Sequence, residues 1–358
     1  MRPESLDFLK TLCNTPSPSG YEERAAEVYR SYTKDFAHTV RTDSHGNTTA
    51  ILNPDAEMKI MLAGHMDEIG FQILHIDDKG YLYFRGIGGH DTMVPLGNRV
   101  WIHGKERVAG VIGRKPIHLL EGGEKDKRPE LHEMWIDIGA TSKEDAESVV
   151  GIGDCVTYQW EFEILRGDRA VARGFDNRVG SVVVAEALRL LAEEGGLDSG
   201  VGVYAVATVQ EEIGLRGART AAHAIGAQSG LAVDVDFAID HPGVSATRYG
   251  ALDIGKGPSI TRGANINPIV FHLMKTGAEK AGIPVQIAAE PGGTGTDANA
   301  MQIAGSGMAT GLCGVPLRYM HTPCELLSLT DVENCAKLMA EYCRQVTPST
   351  DFTPRVVI

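Results

Sequence analysis

The chain has 358 residues, 43% hydrophobic and 23% charged, with 42 glycines, a globular composition that excludes disordered, collagen-like and low-complexity classes. The length implies two or three domains, since single cores rarely grow beyond roughly 250–300 residues. Acidic residues outnumber basic ones, 47 to 34, for a net charge of −13, so nucleic acid is not the expected partner.

The amino terminus, MRPESLDFLK, lacks the apolar segment of a signal peptide. No stretch approaches the roughly 18 apolar residues of a membrane span. The six cysteines (Cys13, Cys155, Cys313, Cys324, Cys335 and Cys343) are scattered without a C-x-x-C pair, as expected of reduced thiols. The expectation is a cytoplasmic protein that does not engage a membrane.

In chain order, Leu6, Leu9 and Leu12 share a helical face, and after the turn SPSG a second helix is expected from about Tyr21 to Tyr32. Strands follow at Ala37–Arg41, at Thr48–Leu52 and in KIMLAGHMD. From about Gly70 to Tyr158 short β-rich runs (FQILHI, YLYFRGI, RVWIHG, GVIGR, MWIDIG) alternate with Gly, Asp and Lys turns, with almost no helical periodicity. This predicts a small all-β module. Beyond Arg173 helices and apolar strands alternate again: a helix over Arg178–Glu194, strand VGVYAVATV, a short helix near Gly214–Ala227, strand SGLAVDV, a helix at Pro268–Ala281, strand PVQIAA, a Gly/Thr loop, another short helix, strand MATGLC and a last helix at Leu329–Cys343. The expected fold class is α/β, a mixed, mostly parallel sheet flanked by helices, with an inserted barrel-like all-β domain. The expected boundaries are 1–68 with 164–358 for the catalytic domain and 69–163 for the insert.

Acidic and histidine residues recur where apolar strands end, the rim at which open α/β sheets bind ligands. In GHMDEIGF, His65 and Asp67 are two apart and point the same way if the strand continues. A carboxylate is a natural acceptor for the second nitrogen of a metal-bound imidazole. In GFDNR, Asp176 enters a helix, a position usually explained as an N-cap. In TVQEEIGLRGA, Glu211 and Glu212 emerge from an apolar strand; a cation or a shared proton would relieve their repulsion. SGLAVDVD ends in Asp234 and Asp236, and RYMHTPCE places His321 in a loop. The other histidines have no such partners and read as surface, core or turn residues. Two histidines with four or more carboxylates suit two divalent transition metals, zinc or cobalt, bridged by one carboxylate. No G-x-S-x-G elbow or G-x-x-x-x-G-K-[ST] loop is present. The glycine-rich GGTGTDANA, with Gly293, Thr294, Thr296 and Asp297, reads as a substrate-lining loop.

GHMDEIGF, GFDNR, QEEIGLRGA, AVDV and YMHTP, in this order, closely resemble the tetrahedral aminopeptidase family of dinuclear metallopeptidases, also called the glutamyl/deblocking aminopeptidase or cellulase-M family. WIDIGATSKEDAESVVGIGD and GRKPIHLL resemble it as well. The resemblance implies that His65 and Asp234 hold one metal ion, Glu212 and His321 a second, and that Asp176 bridges them. It implies that Glu211 is the general base, that Asp67 orients His65, and that the Asp176–Asn177 peptide is cis. Hydrolysis would remove the N-terminal residue of a peptide through a metal-bridged water. The resemblance further implies that the β module makes dimers, six of which close into a hollow dodecamer admitting only peptides. Asn177 and Asp236 depart from the common pattern, where Asp and Thr stand. Competing expectations are a deacylase or carboxypeptidase on the same scaffold, a metal-free glycoside hydrolase using a carboxyl pair, and an inactive scaffold protein.

Overall fold

The computed structural model describes residues 1–355. Its larger part is a mixed sheet with helices on both faces. Strands β1 (Thr39–Thr42), β2 (Thr48–Leu52) and β3 (Met58–His65) lead into it. After the insert come β10 (Glu163–Ile164), β11 (Arg169–Ala172), β12 (Val201–Thr208), β13 (Ser229–Phe237), β14 (Ser259–Gly263), β15 (Gln286–Glu290), β16 (Ala309–Arg318) and β17 (Glu325–Ser328). The main order is β1-β2-β12-β3-β13-β16-β17-β11-β10, with β14 and β15 joined to one side of β16. The centre, β12-β3-β13-β16, is parallel. The outer pairs, β1 with β2 and β17 with β11, are antiparallel.

Alternation divides the central strands between two cores. Ile60 and Leu62 of β3, Val203 and Ala205 of β12, and Leu231 and Val233 of β13 face a core with helices α1 (Pro3–Asn14), α2 (Glu23–Thr33), α4 (Phe175–Glu194), α7 (Pro268–Ala281) and α9 (Leu329–Gln345). Met61, Ala63, Val206 and Ala232 face the other core, with α5 (Arg216–Ile225) and α8 (Asp297–Gln302). Every residue of α4 from Phe175 to Leu191 is buried, because the helix is covered by sheet on one side and by α1, α2 and α9 on the other. A Cβ on Gly64 would lie 2.3 Å from the backbone of Gly180, so two glycines let α4 approach β3. That contact brings the start of α4 beside the end of β3.

The insert is a closed barrel, β4 (Gly70–Ile76), β5 (Leu82–Ile87), β8 (Trp135–Asp137), β7 (Arg107–Gly113), β6 (Arg99–His103) and β9 (Cys155–Tyr158). Phe71, Ile73, Phe84, Ile102, Ile136 and Val156 fill it. The expectation of almost no helix here is corrected at α3 (Lys143–Val149), whose N-cap Ser142 accepts the Asp145 amide. The helix is too short for its periodicity to be read, as Ala146 is its one buried residue. The strands β14 and β17 and the short helix α6 (Ala246–Tyr249) also went unread in the sequence.

Candidate metal centre

The parallel strands end level with one another. Thr208 of β12 pairs with His65 of β3, and the β3–β13 register, Ala232 to Ala63, brings Asp234 beside His65 two residues on. All three continue the face that carries Met61, Ala63, Val206 and Ala232. Asp176 stands at the entry to α4, where the backbone is not yet helical, and His321 in the β16–β17 connection. The fold therefore gathers all five expected ligands, together with Glu211, at one edge.

His65 Nε2 lies 3.3 Å from Asp176 Oδ1, 3.6 Å from Glu211 Oε2 and 3.9 Å from Asp234 Oδ1. His321 Nε2 lies 3.1 Å from Asp176 Oδ2 and 3.4 Å from Glu212 Oε1. Asp176 thus turns one oxygen to each histidine. Two ligands about 2.0–2.1 Å from a tetrahedral ion stand roughly 3.3–3.4 Å apart, and these spacings bracket that value. His65, Asp176 and Glu212 converge closely enough to share an ion, as do His65, Glu211 and Asp234. The residues present fit divalent transition metals by donor type and spacing, and Glu212 Oε1 is buried without a hydrogen-bond partner. Asp236 is drawn aside by Ser259, whose hydroxyl donates to it at 2.8 Å.

Charge in this cluster is unbalanced. Burial pushes the Glu211 carboxyl up; His65 opposes this, while Asp234, Asp297 and Glu212 add to it, and the result is about 10. Burial likewise raises Asp234, and with the Asp176 charge it raises Glu212. Burial works against a charge on either histidine but is outweighed. Glu211 and Asp67 raise His65, and Asp176 and Glu212 hold His321 at about 11. Asp176 is also pushed up by burial, yet the two histidines bring it below the ordinary range. Such a set calls for positive charge at its centre.

A second layer of residues fixes the first. The amides of Val209, Gln210, Glu211 and Glu212 donate in turn to Asn47 Oδ1 (3.2 Å), Glu22 Oε1 (3.0 Å), Asp67 Oδ1 (3.0 Å) and Asp67 Oδ2 (3.2 Å). Ser19 adds a hydroxyl to Asp67 at 2.6 Å. The Nδ1 of His65 is 3.0 Å from the Asp67 carbonyl oxygen and 3.4 Å from its carboxylate, so the backbone of Asp67 is the nearer partner. Glu325 accepts the amides of both Asp176 and His321. The Asp176–Asn177 peptide is cis, and Asn177 Nδ2 donates to the Val233 carbonyl at 2.8 Å. Asp176 does not cap the helix; it and Asn177 depart from helical φ/ψ, and it is Asn177 Oδ1 that accepts the amide of Gly180, at 3.0 Å.

In the glycine-rich loop, Asn265 Nδ2 donates to Thr294 Oγ1 at 3.1 Å, and Thr294 and Thr296 are joined at 2.8 Å. Gly293 is exposed. Asp297 is 1% exposed and accepts from Thr208, so it adjoins Glu211 and Asp234 from behind instead of forming an open wall. The barrel also reaches the centre: a Cβ on Gly88 would lie 3.3 Å from the Glu212 side chain, and one on Gly89 3.7 Å from His321. Sequence reasoning missed Glu22, Asn47 and Glu325, which accept backbone amides of distant segments, and Ser19 and Thr208, whose hydroxyls donate to Asp67 and Asp297. Only Glu325, four residues beyond His321, carried a local hint.

Residues 46–338 match the M42 glutamyl aminopeptidase family. The lysyl aminopeptidase of Pyrococcus furiosus is 37% identical over 355 residues, 97% of this chain and 99% of its own. The TET aminopeptidase of a marine-sediment Thaumarchaeota archaeon has a TM-score of 0.91 at 35% identity, covering 96% of this chain and 97% of that one. The TET1 peptidase of Pyrococcus horikoshii, described as assembling into a tetrahedron or a large octahedral shell, has a TM-score of 0.84 at 33% identity, covering 96% of this chain and all of its own. On sequence and fold alike, this chain belongs to the M42 glutamyl aminopeptidase family.

Proposed function

We propose that the protein is a dinuclear metallo-aminopeptidase that removes the N-terminal residue from peptides. The observation that carries the reading is the disposition of Asp176, one oxygen toward His65 and the other toward His321. His65, Asp176 and Asp234 would hold one zinc or cobalt ion, and Asp176, Glu212 and His321 the other. Held there, two such ions would supply Lewis acidity, making water more acidic and offsetting negative charge developed on the peptide carbonyl oxygen. Glu211 accepts the proton of the attacking water and returns it to the leaving amine nitrogen. Asp67 keeps Glu211 and Glu212 in place through their amides. Gly293, Thr294 and Thr296 contribute to selection of the side chain, with Asp297 supporting them from behind.

The subunit assembles with copies of itself through the barrel, in dimers that build a dodecamer. The exposed Leu74, Met93, Val111, Ile117, Leu119 and Ile152 of the insert support this reading, as does the tetrahedral assembly of the relative from Pyrococcus horikoshii. The compartment is the cytoplasm, a reading supported by six free cysteines. No described helix is long and apolar enough to cross a membrane.

The test is hydrolysis of aminoacyl p-nitroanilides (Glu, Asp, Leu, Lys and Ala, with N-acetyl-Leu as control) with zinc, with cobalt and after exhaustive chelation. Cleavage confined to free amines, lost on chelation and restored by metal, is the expected result. Release of p-nitroaniline from the acetylated control would overturn the requirement for a free N-terminal amine, and activity indifferent to chelation would overturn the metal mechanism.

A further inference from the structure

Glu325 opens β17 and is 2% exposed. Its Oε2 accepts the amide of Asp176 at 3.0 Å, and its Oε1 accepts the amide of His321 at 2.9 Å. The two amides belong to segments 145 residues apart, and neither segment is held in the sheet at that point. Asp176 and Asn177 depart from helical φ/ψ at the entry to α4, so the Asp176 amide lies outside the regular helical ladder. His321 follows Tyr319 through a tight bend in which both residues have positive φ, 61° and 63° respectively. The position of Glu325 is itself fixed by pairing on both edges: Glu325 pairs with Ala172 of β11, and the next residue, Leu326, with Arg318 of β16. Both the segment leading to Asp176 and the segment leading to His321 are therefore tied to this strand end.

A neutral side-chain oxygen could accept one such amide as well. A carboxylate is a costly choice here, because it is buried and lies beside the charge of Asp176. The choice is understandable where one side chain must accept two divergent amides, and where cations offset the added charge.

We propose that Glu325 is a positioning residue of the metal centre, setting the bridging Asp176 and the ligand His321 at their mutual spacing by holding both backbones with one carboxylate. The proposal rests on the two-metal reading above. Glu325→Gln keeps the size but must turn an NH₂ toward one of the two N–H donors, and so loses one bond. Glu325→Asp keeps the charge but is one carbon–carbon bond shorter, about 1.5 Å, and reaches at most one amide.

The experiment is cobalt titration of chelator-treated protein by equilibrium dialysis and visible absorption, for wild type and both variants, with thermal unfolding of the metal-free forms alongside. Wild type binds two equivalents of cobalt. Each variant is expected to bind the second equivalent 10–100-fold more weakly, with an altered cobalt absorption band, while its metal-free form still unfolds cooperatively. A variant that folds and binds both equivalents with wild-type affinity and spectrum overturns the proposal, even where its melting temperature has fallen. If the Gln variant does not fold, the Asp variant decides by the same criteria. A wild type that binds fewer than two equivalents overturns the two-metal reading itself, and the role of Glu325 with it.

Discussion

The carboxylate of Asp67 receives the backbone N–H of Glu211 at 3.0 Å, through one oxygen, while its other oxygen receives that of Glu212 at 3.2 Å. A residue read from its spacing as an orienter of His65 is therefore, in the fold, chiefly an anchor for the adjacent glutamates. Anchoring explains why Asp67 is completely buried, since a carboxylate with three donors around it is satisfied without water.

Replacing Asp67 tests that role. Asp67→Ala leaves two buried amides and the Ser19 hydroxyl without an acceptor, at about 1–3 kcal/mol for each unsatisfied group. Relaxation of the loop recovers part of this, so a loss of about 2–5 kcal/mol is expected in urea denaturation of the chelated protein. Asp67→Asn retains one acceptor, and should lose less stability but still about tenfold or more in kcat. A variant with unchanged stability and impaired activity alone would return Asp67 to a pure His65 partner.

Glu211 and Glu212 are neighbours with different assignments, and paired substitutions separate them. Glu211→Gln should lower kcat by about 10²–10⁴-fold, the usual worth of a general base, with metal content unchanged. Glu212→Gln should lose metal as well as activity, because Glu212 faces His321 at 3.4 Å. Elemental analysis beside steady-state kinetics distinguishes them. Equal metal loss in both variants would make Glu211 a ligand.

The central strands and most helices were legible because their burial leaves continuous apolar runs, as in VGVYAVATV. The site was legible for a related reason: His65, Glu211, Glu212 and Asp234 are polar interruptions of runs that are otherwise buried. What could not be read was what binds to backbone. Glu22, Asn47 and Glu325 look like surface residues in the sequence, and their importance follows from amides contributed by segments far along the chain. β17 was missed because its four residues are too few to show a period.

Metal loading should release protons. In the metal-free protein the carboxyls of Glu211 and Asp234 are pushed up, and the imidazoles of His65 and His321 hold protons well above the usual histidine range. A cation must displace those protons, so affinity rises with pH across the neutral range. Calorimetric titration with zinc in two buffers of different ionisation enthalpy reads the proton count directly. Identical heats in both buffers would contradict the protonation pattern. Chelation should also lower the melting temperature, since metal stabilises only the folded state, by about 2.7 kcal/mol at a free concentration of 100 Kd.

Behind the centre, Glu68 forms a buried ion triad with Arg173 and Arg178. Burial alone would raise the Glu68 carboxyl, but the two guanidiniums outweigh it and hold it at about 2. Against an unfolded value near 4.5, a depressed folded pKa means that the contribution is fully present above about pH 4.5. It is lost as pH falls through that value toward 2. The difference corresponds to about 3 kcal/mol at pH 7 and about 1 kcal/mol at pH 3. Glu68→Gln leaves two buried arginines without their anion, a loss of about 3–5 kcal/mol at pH 7. Because Glu68 takes up a proton in the unfolded chain below about pH 4.5 while Gln cannot, the gap between the two proteins should narrow by about 2 kcal/mol between pH 7 and pH 3. Urea denaturation of both chelated proteins at matched concentration cancels the titration of the ligand cluster, which they share. A gap independent of pH would mean that Glu68 matters by packing and not by charge.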